Sequence, residues 1–321
     1  MNKTSKVFIA GHEGMVGSAI MRNLVHNGYE NIITASRREL DLIKQNKVIR
    51  FFRAKRPDVV IDCAAKVGGI HANNTYRADF IYNNLQIQNN LIHTSYEFEV
   101  EKFLFLGSSC IYPKFADQPI KEEYLLASPL ESTNEPYSVS KIAGIKMCES
   151  YHKQYGCDFI SVMPCNQYGP NDNFHPKNSH VLPALLRRFH EAAVNNETNV
   201  EVWGTGKAKR EFLHVDDLAR ACVFLLENVS SSTVYRENIS HLNIGSGEEI
   251  SIANLAKLIA EIVGYEGKIS FQLDKPDGTL RKLMDVSRIK KLGWEPELSL
   301  KEGLIQTHNW YKENEAQIRS F

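Results

Sequence analysis

The first half of the chain alternates short apolar runs with longer amphipathic stretches. The runs predict five strands: KVFIA (6–10), NIITAS (31–36), DVVIDCAA (58–65), KFLFLGSS (102–109) and DFISVMP (158–164). Because these runs are largely apolar throughout rather than alternating with polar residues, we expect strands buried on both faces. Helices are predicted after the first strand to about residue 28, then near 45–54, over 75–98 and over 137–155. This order is typical of a doubly wound parallel sheet of the α/β class, the Rossmann-like arrangement.

The pattern loosens after residue 169. NDNFHPKNSH (171–180) predicts a polar loop, VLPALLRRFHEAAV (181–194) a helix, and EVWGTGKAKREFLHV (201–215) two strands around a loop. SIANLAKLIAEIVG (251–264) and the end of the chain predict two further helices. We therefore expect a Rossmann-like domain over 1–169. Residues 170–321 should form mainly a smaller α/β lobe, interleaved with the end of the first domain.

Charge and cysteine content narrow the possible partners. The 38 basic and 38 acidic residues balance, which disfavours nucleic acid or an anionic membrane surface as a partner. The six cysteines form no CxxC pair and no metal-type spacing with histidine, so we expect neither a metal site nor a disulfide framework. Residues 1–5 are polar and a strand follows at once, which leaves no room for a signal peptide. We expect a cytoplasmic protein.

A glycine-rich loop, GHEGMVG (11–17), separates the first strand from the first helix. In that context the loop predicts a dinucleotide site, where backbone N–H groups at a helix start approach a pyrophosphate. A turn that merely packs helix on strand is the structural alternative, which the context disfavours. The predicted cofactor contacts are Gly11, His12, Glu13, Gly14, Met15, Val16 and Gly17.

The end of the second predicted strand indicates which dinucleotide would bind. An NAD site usually carries an acid there for the ribose 2′-hydroxyl, whereas cations suit the 2′-phosphate of NADP. The sequence is TASRREL, with Arg37 and Arg38 before the first acid, Glu39. We therefore predict NADP(H) as the cofactor.

Tyr137 and Lys141 lie four residues apart in NEPYSVSKIAG, which places both on one face of the predicted helix. A phenol needs help to exchange a proton near neutral pH, and a lysine ammonium one turn away would stabilise its anion. A serine of GSSCIYP (107–113), at the end of the fourth predicted strand, could hydrogen-bond the same substrate oxygen. Each residue alone could be ordinary surface or core, but the combination indicates hydride transfer.

Longer segments carry a resemblance to the extended short-chain dehydrogenase/reductase family that runs nearly end to end. They are VFIAGHEGMVGSAI, AAKVGGIHANNTYRADFIY, FLGSSCIYP, TNEPYSVSKIAGIKMCESY, YGPNDNFHPKNSHVLPALLRRFHEA, REFLHVDD and KPDGTLRKL. Within that family, the chain is similar to the enzymes that reduce and epimerise a GDP-4-keto-6-deoxy sugar. The resemblance implies a homodimer built on the helices over 75–98 and 137–155.

The resemblance also implies roles for individual residues. Tyr137 would protonate the C4 oxygen as NADPH delivers hydride, with Lys141 as its activator and a ribose ligand, and Ser108 as the second hydrogen bond. Cys110 and His180 would be the acid–base pair that inverts C3 and C5. We expect Ser108 and Cys110 to point the same way from one extended strand end. The remaining implied cofactor contacts are Leu106, Gly107, Ser109, Pro164, Cys165, Asn166, Gln167 and His180. The implied substrate contacts are Arg188, Trp203, Arg210 and Asp277.

Three positions depart from the family pattern and leave alternatives open. Glu13 replaces an arginine that could meet the 2′-phosphate, while Cys165 and Gln167 replace the more usual threonine and leucine. A reductase without epimerase activity, acting on a related GDP-4-keto sugar such as a GDP-heptose, is one alternative. An NAD-holding 4-epimerase is disfavoured because it would need no cysteine. A non-catalytic dinucleotide sensor is disfavoured by the intact Ser108, Tyr137 and Lys141.

Overall fold

The computed structural model describes residues 1–176, 179–236, 238–275, 277 and 279–318. Its strands are β1 (Val7–Ala10), β2 (Ile32–Ile33), β3 (Val59–Asp62), β4 (Lys102–Leu106), β5 (Phe159–Pro164), β6 (Asn166–Tyr168), β7 (Asn199–Trp203), β8 (Lys209–His214), β9 (Leu242–Ile244), β10 (Glu249–Ser251), β11 (Lys268–Gln272) and β12 (Arg281–Lys282). Its helices are α1 (Met15–His26), α2 (Gln45–Lys55), α3 (Ile70–Thr75), α4 (Arg77–Glu97), α5 (Glu135–Tyr155), α6 (Val181–Val194), α7 (Val215–Asn228), α8 (Ser231–Tyr235), α9 (Ile252–Val263), α10 (Ser287–Lys291) and α11 (Leu300–Asn314).

A six-stranded parallel sheet in the order β2-β1-β3-β4-β5-β9 forms the main core. Every residue of β1, β3 and β5 is buried, as their apolar runs predict for strands covered on both faces. The sequence prediction of a doubly wound α/β fold is confirmed. The strand order reverses at β1, so the carboxyl ends of β1 and β3 flank the place where such folds bind ligands.

Several predicted boundaries differ from the observed ones. The second strand contains only Ile32 and Ile33, since the residues after it are polar and partly exposed. The helix expected over 75–98 is divided at Tyr76, whose φ of −106° and ψ of 42° are not helical. α5 begins at Glu135, before the expected start, because Pro136 lies in the first turn, where its missing N–H breaks no helical bond.

A second hydrophobic core lies among α6, α9 and α11. Phe174, Leu186, Phe189, Leu255 and Leu304 are completely buried in it. The chain nevertheless returns to the first core, because α7 packs against α1 and β9 pairs with β5. The domain boundary at residue 169 stays a prediction.

The connection from β5 to β6 joins the two sheets. β6 follows β5 after a single residue, Cys165, and pairs in parallel with β8. β8 also pairs with β10 and β12. The carboxyl end of β5 therefore leads directly into β6 of the second sheet. The candidate site residues lie around this connection.

Candidate active site

The glycine-rich loop lies between β1 and α1 with its helix N-terminus open. Gly11 has a φ of +82°, the left-handed region that glycine adopts without strain. A Cβ on Gly17 would lie 2.3 Å from the Gly11 carbonyl oxygen, so the helix can approach the loop only with glycine there. Among the described residues, no side chain caps α1, and no acid lies in its first turn. The free N–H groups fit a pyrophosphate.

Arg37 and Arg38 line an open cavity of about 650 Å³ together with Glu13 and Ser36. The nearby acid, Glu39, is already engaged: its carboxylate accepts hydrogen bonds from the Ser36 backbone N–H and hydroxyl, both at 2.8 Å. These bonds hold the pKa of Glu39 below its usual value. Two guanidinium groups against the single carboxylate of Glu13 leave the cavity with a positive balance, which suits a phosphate.

Ser108, Tyr137 and Lys141 come together where the end of β4 meets the first turns of α5. The Ser108 side chain lies near enough to the Tyr137 hydroxyl to affect its pKa. Burial raises the pKa of Tyr137, the nearby Cys110 raises it further, and the Ser108 side chain opposes both. Tyr137 is therefore held as a neutral phenol, the form that can donate a proton.

Lys141 is buried and donates from Nζ to the Leu106 carbonyl oxygen at 2.8 Å. Burial lowers its pKa, while the carboxylate of Asp62 and the thiol of Cys63 raise it. The stabilisation of the Tyr137 anion by Lys141 stays a prediction, because the contacts that the structure describes for the ammonium are with the Leu106 carbonyl and the ring of Phe105.

Asp62 is a site residue that the sequence reasoning missed. It ends β3, is only 1% exposed, and burial raises its pKa to about 6. One carboxylate oxygen accepts the Ala64 N–H at 3.1 Å, whereas the other has no partner among the described residues. An acid closing an otherwise apolar strand, DVVID, was the available signal.

The expectation that Ser108 and Cys110 project together from one extended strand is wrong. β4 ends at Leu106, and Ser109–Ile111 form a 3-10 helical turn. Ser108 begins this turn, its hydroxyl accepting the Cys110 N–H at 3.3 Å, and Ser138 of α5 donates to the Cys110 carbonyl at 2.8 Å. Cys110 thus reaches the site because hydrogen bonds with Ser108 and Ser138 hold the turn at both ends.

His180 precedes α6 and is exposed as a whole residue. The surrounding protein still desolvates it, which lowers its pKa, and the ammonium of Lys282 lowers it further. The same ammonium lies 3.9 Å from the Cys110 sulfur. The structure therefore brings Cys110 and His180 close to one shared cation, which the sequence reasoning also missed.

The segment from Pro164 to Gln167 follows the end of β5. Cys165 is 7% exposed, its N–H donates to the Ile244 carbonyl at 2.9 Å, and burial raises the pKa of its thiol well above the usual value. The Asn166 amide donates to the Glu211 carbonyl at 2.8 Å, and that of Gln167 to the Cys165 carbonyl at 3.2 Å. Cys165 therefore lacks the thiolate character that a nucleophilic or acid–base cysteine requires.

The four expected substrate contacts divide into two pairs. Arg188 and Trp203 line one cavity of about 400 Å³, and Trp203 is 61% exposed, so its ring face is open for stacking. Arg210 donates to the Asp277 carbonyl at 3.4 Å. The Asp277 carboxylate accepts the Thr205 N–H and hydroxyl, both at 2.7 Å, so its predicted contact with guanine or ribose would compete with Thr205.

Sequence comparison gives the family. Residues 7–245 match the NAD dependent epimerase/dehydratase family. GDP-L-fucose synthase 1 of Arabidopsis thaliana is 59% identical over 98% of this chain and 95% of its own. GDP-L-fucose synthase of Escherichia coli (strain K12) is 55% identical over 98% of both chains. This chain belongs to the GDP-L-fucose synthase family.

One solved structure that is similar to this chain is described as an enzyme of a different sugar. MlghC, the GDP-mannoheptose C4 reductase from Campylobacter jejuni with NADP bound, is 42% identical. The two structures superpose with a TM-score of 0.90, covering 97% of this chain and 99% of MlghC. The GDP-L-fucose synthase family therefore has a near structural neighbour that is described as a C4 reductase of a GDP-heptose.

Two features are absent from the described residues. They contain no helix that is both long and apolar enough to cross a membrane. In the same part of the chain, no three His, Cys, Asp or Glu side chains cluster as metal ligands would.

Proposed function

We propose that this chain is an NADPH-dependent reductase of the C4 ketone of a GDP-4-keto-6-deoxy sugar and that it also inverts C3 and C5, the activity of a GDP-L-fucose synthase. The observation that carries the proposal is the placement of Ser108 near Tyr137, on the helix that also carries buried Lys141, with Cys110 in the turn that follows Ser108. The identity of 59% and 55% to two GDP-L-fucose synthases supports it.

The cofactor is NADP(H), and the chain offers fitting groups for it. The uncapped start of α1 beside Gly17 would hold the pyrophosphate, and Arg37 and Arg38 the 2′-phosphate. When bound, NADPH supplies the hydride. On the protein side, Ser108 and Tyr137 hydrogen-bond the C4 oxygen, and Tyr137 gives it a proton as the carbon is reduced. Lys141 would contact the ribose and favour the resulting phenolate.

Epimerisation would precede reduction in this site. The protons on C3 and C5 are acidic only while C4 is a ketone, because the ketone accepts the electron pair as an enolate. Ser108 and Tyr137 would stabilise charge on that oxygen. One of Cys110 and His180 removes the carbon-bound proton, and the other returns a proton to the opposite face. The net effect at each carbon is inversion without oxidation.

The test is turnover of GDP-4-keto-6-deoxymannose with NADPH in deuterated water. We expect a reduced product that carries deuterium at C3 and C5 with both centres inverted. Cys110→Ser should lose the label while still reducing a ketone supplied already epimerised. Equal loss of both activities in Cys110→Ser would contradict the proposal, because it would give Cys110 a role in the fold alone.

Reduction without epimerisation is the second candidate. Two observations favour it: the likeness to a heptose C4 reductase, and the presence of Cys165 and Gln167 beside the nicotinamide position. The lower identity, 42% against 59%, ranks it second. In deuterated water this candidate predicts reduction without label. A dinucleotide-sensing regulator, from a different class, predicts no loss of NADPH absorbance with any GDP-4-keto sugar.

We propose a homodimer in the cytoplasm, joined through α4 and α5. These helices pack against each other and carry aromatic side chains at their surface, with Tyr82 57% and Tyr155 48% exposed. All six cysteines are free thiols, as suits a reducing compartment. Sedimentation should give twice the chain mass of 36.5 kDa, about 73 kDa, and a species of 36.5 kDa would exclude the dimer.

A further inference from the structure

Lys282 belongs to a strand that is fixed on both sides. β12 pairs with β8, placing Lys282 opposite Arg210. The next two residues are anchored by buried or partly buried acceptors: the Leu283 N–H donates to the Gln118 side chain at 2.7 Å, and the Met284 N–H to the carboxylate of Glu211 at 3.0 Å. The backbone that carries Lys282 is thus held by bonds of its own, independent of what its side chain does.

The Lys282 side chain points to the candidate epimerisation groups. Its Nζ lies 3.9 Å from the Cys110 sulfur, within range of a hydrogen bond to sulfur. It is also near enough to His180 for its charge to disfavour the imidazolium. One ammonium therefore acts on both groups that the proposed function uses at C3 and C5, although Lys282 and Cys110 are 172 residues apart in the chain.

The adjacent residue, Arg281, differs from Lys282 because its side chain is paired with a carboxylate. Successive strand residues face opposite ways, and Arg281 points to Glu249, with Nε 2.6 Å from the carboxylate. Lys282 forms no salt bridge within the described part of the chain, and its side chain is half-buried. A half-buried ammonium therefore lies beside the Cys110 sulfur, and no carboxylate of the described residues is within salt-bridge distance of it.

We propose that Lys282 is a positioning residue for epimerisation: its ammonium is the counter-ion of the Cys110 thiolate. In that pairing the thiol proton passes to solvent, and the charge on sulfur is balanced by Lys282. The thiolate can then take a carbon-bound proton from C3 or C5, becoming a thiol again as the enolate forms. Hydride transfer at C4 does not use this pair. This inference rests on the proposed function.

The first test needs no substrate. We would measure the iodoacetamide alkylation rate of Cys110 at pH 7 in the intact enzyme, identifying the peptide by mass spectrometry. Lys282→Met should lower the rate about tenfold, because an opposite charge at this distance shifts a thiol–thiolate equilibrium by at least that factor. Lys282→Arg should keep the wild-type rate, and Arg281→Met, on the other face of the same strand, should not change it. An unchanged rate in Lys282→Met overturns the inference.

The second test separates this inference from the proposed function. In deuterated water, Lys282→Met should label C3 and C5 about tenfold more slowly, yet reduce the pre-epimerised ketone within about threefold of wild type. Equal loss of labelling and reduction would overturn the inference, since it would mean a general effect on the site. Lys282→Gln repeats the measurement if the methionine variant does not fold. If wild-type enzyme reduces without label while alkylation still depends on Lys282, the epimerase proposal fails and the charge pair stands.

Discussion

At the scale of single residues, the environment of Tyr137 matches a reductase. A general acid has to carry its proton when the substrate oxygen needs it, and burial raises the pKa of Tyr137 so that it does. Ser108, just after the end of β4, lies near enough to lower that pKa in part. Lys141 is held at the Leu106 carbonyl, and its contact with a ribose hydroxyl stays a prediction.

Removing the phenol oxygen tests that role. Tyr137→Phe should lower kcat for ketone reduction by roughly 10² to 10⁴, the usual effect of losing a general acid, with little change in stability. Stopped-flow absorbance of NADPH gives the rate. Tyr82→Phe, which removes the same atom from an exposed tyrosine of α4, should match wild type. A kcat for Tyr137→Phe within threefold of wild type would exclude Tyr137 as the acid.

At the scale of elements, the start of α1 depends on one close approach. The contact of Gly17 with the Gly11 carbonyl brings the helix N-terminus over the loop where the pyrophosphate would bind. A second contact between elements lies at α6 and α11, where His190 Nδ1 and His308 Nε2 are 3.0 Å apart. The first contact can be tested by adding one methyl group, and the second by changing the pH.

Gly17→Ala should destabilise the protein by about 1–3 kcal/mol, because its Cβ would overlap a backbone oxygen at 2.3 Å. It should also weaken NADPH binding. Urea unfolding and fluorescence titration with NADPH measure the two effects. The matched change is Gly14→Ala, whose Cβ would meet the same oxygen at 3.4 Å, an acceptable contact. If both alanines behaved alike, the close approach of α1 to the loop would not matter.

The histidine pair predicts a loss of stability in acid. Burial lowers the pKa of His308 from 6.5 to about 4, and His190 adds to the effect. Between these two pH values His308 is therefore protonated in the unfolded chain but neutral in the folded one. The contribution is complete above pH 6.5 and is lost as pH falls toward 4. Unfolding free energies between these values should fall less steeply in His308→Gln than in wild type. His26→Gln, at an exposed position, should leave the slope unchanged; a flattened slope there too would refute the assignment.

At the scale of the whole molecule, a buried carboxylate joins distant parts of the main core. Glu122 is 3% exposed, accepts the Asn243 N–H of β9 at 3.1 Å, and pairs with Arg288 of α10 at 2.6 Å. The Asn243 side chain in turn donates to the carbonyls of Ile120 and Asp285. The last strand of the sheet is thus fixed by polar groups from two separate segments, 120–122 and 285–288.

Arg288→Met should cost about 3–5 kcal/mol, because it leaves the carboxylate of Glu122 buried without its partner. Arg281→Met removes an exposed pair instead and should cost about 0–1 kcal/mol. Urea denaturation of both variants gives the comparison. Equal costs would show that solvent reaches Glu122 and that the burial argument fails.

Local patterns explain what could be predicted from the sequence. The parallel sheet follows from apolar runs, and the nearness of Tyr137 to the end of β4 from helix spacing and strand order. The placement of Cys110 could not be predicted, because the turn at 109–111 depends on Ser108 and on Ser138 of another element. Lys282 was missed for a similar reason, since a lysine in a polar run carries no sign that it will contact a thiol 172 residues away.

The return of the chain to the main sheet at β9 has a consequence for how the protein is made. The ribosome synthesises the chain starting from its N-terminus. The segment that ends at residue 169 contains neither β9 nor α7. At that point β5 presents an unpaired edge and α1 lacks the helix that covers it. The main sheet can therefore be completed only after residue 244 has left the exit tunnel, when most of the second core has already been synthesised.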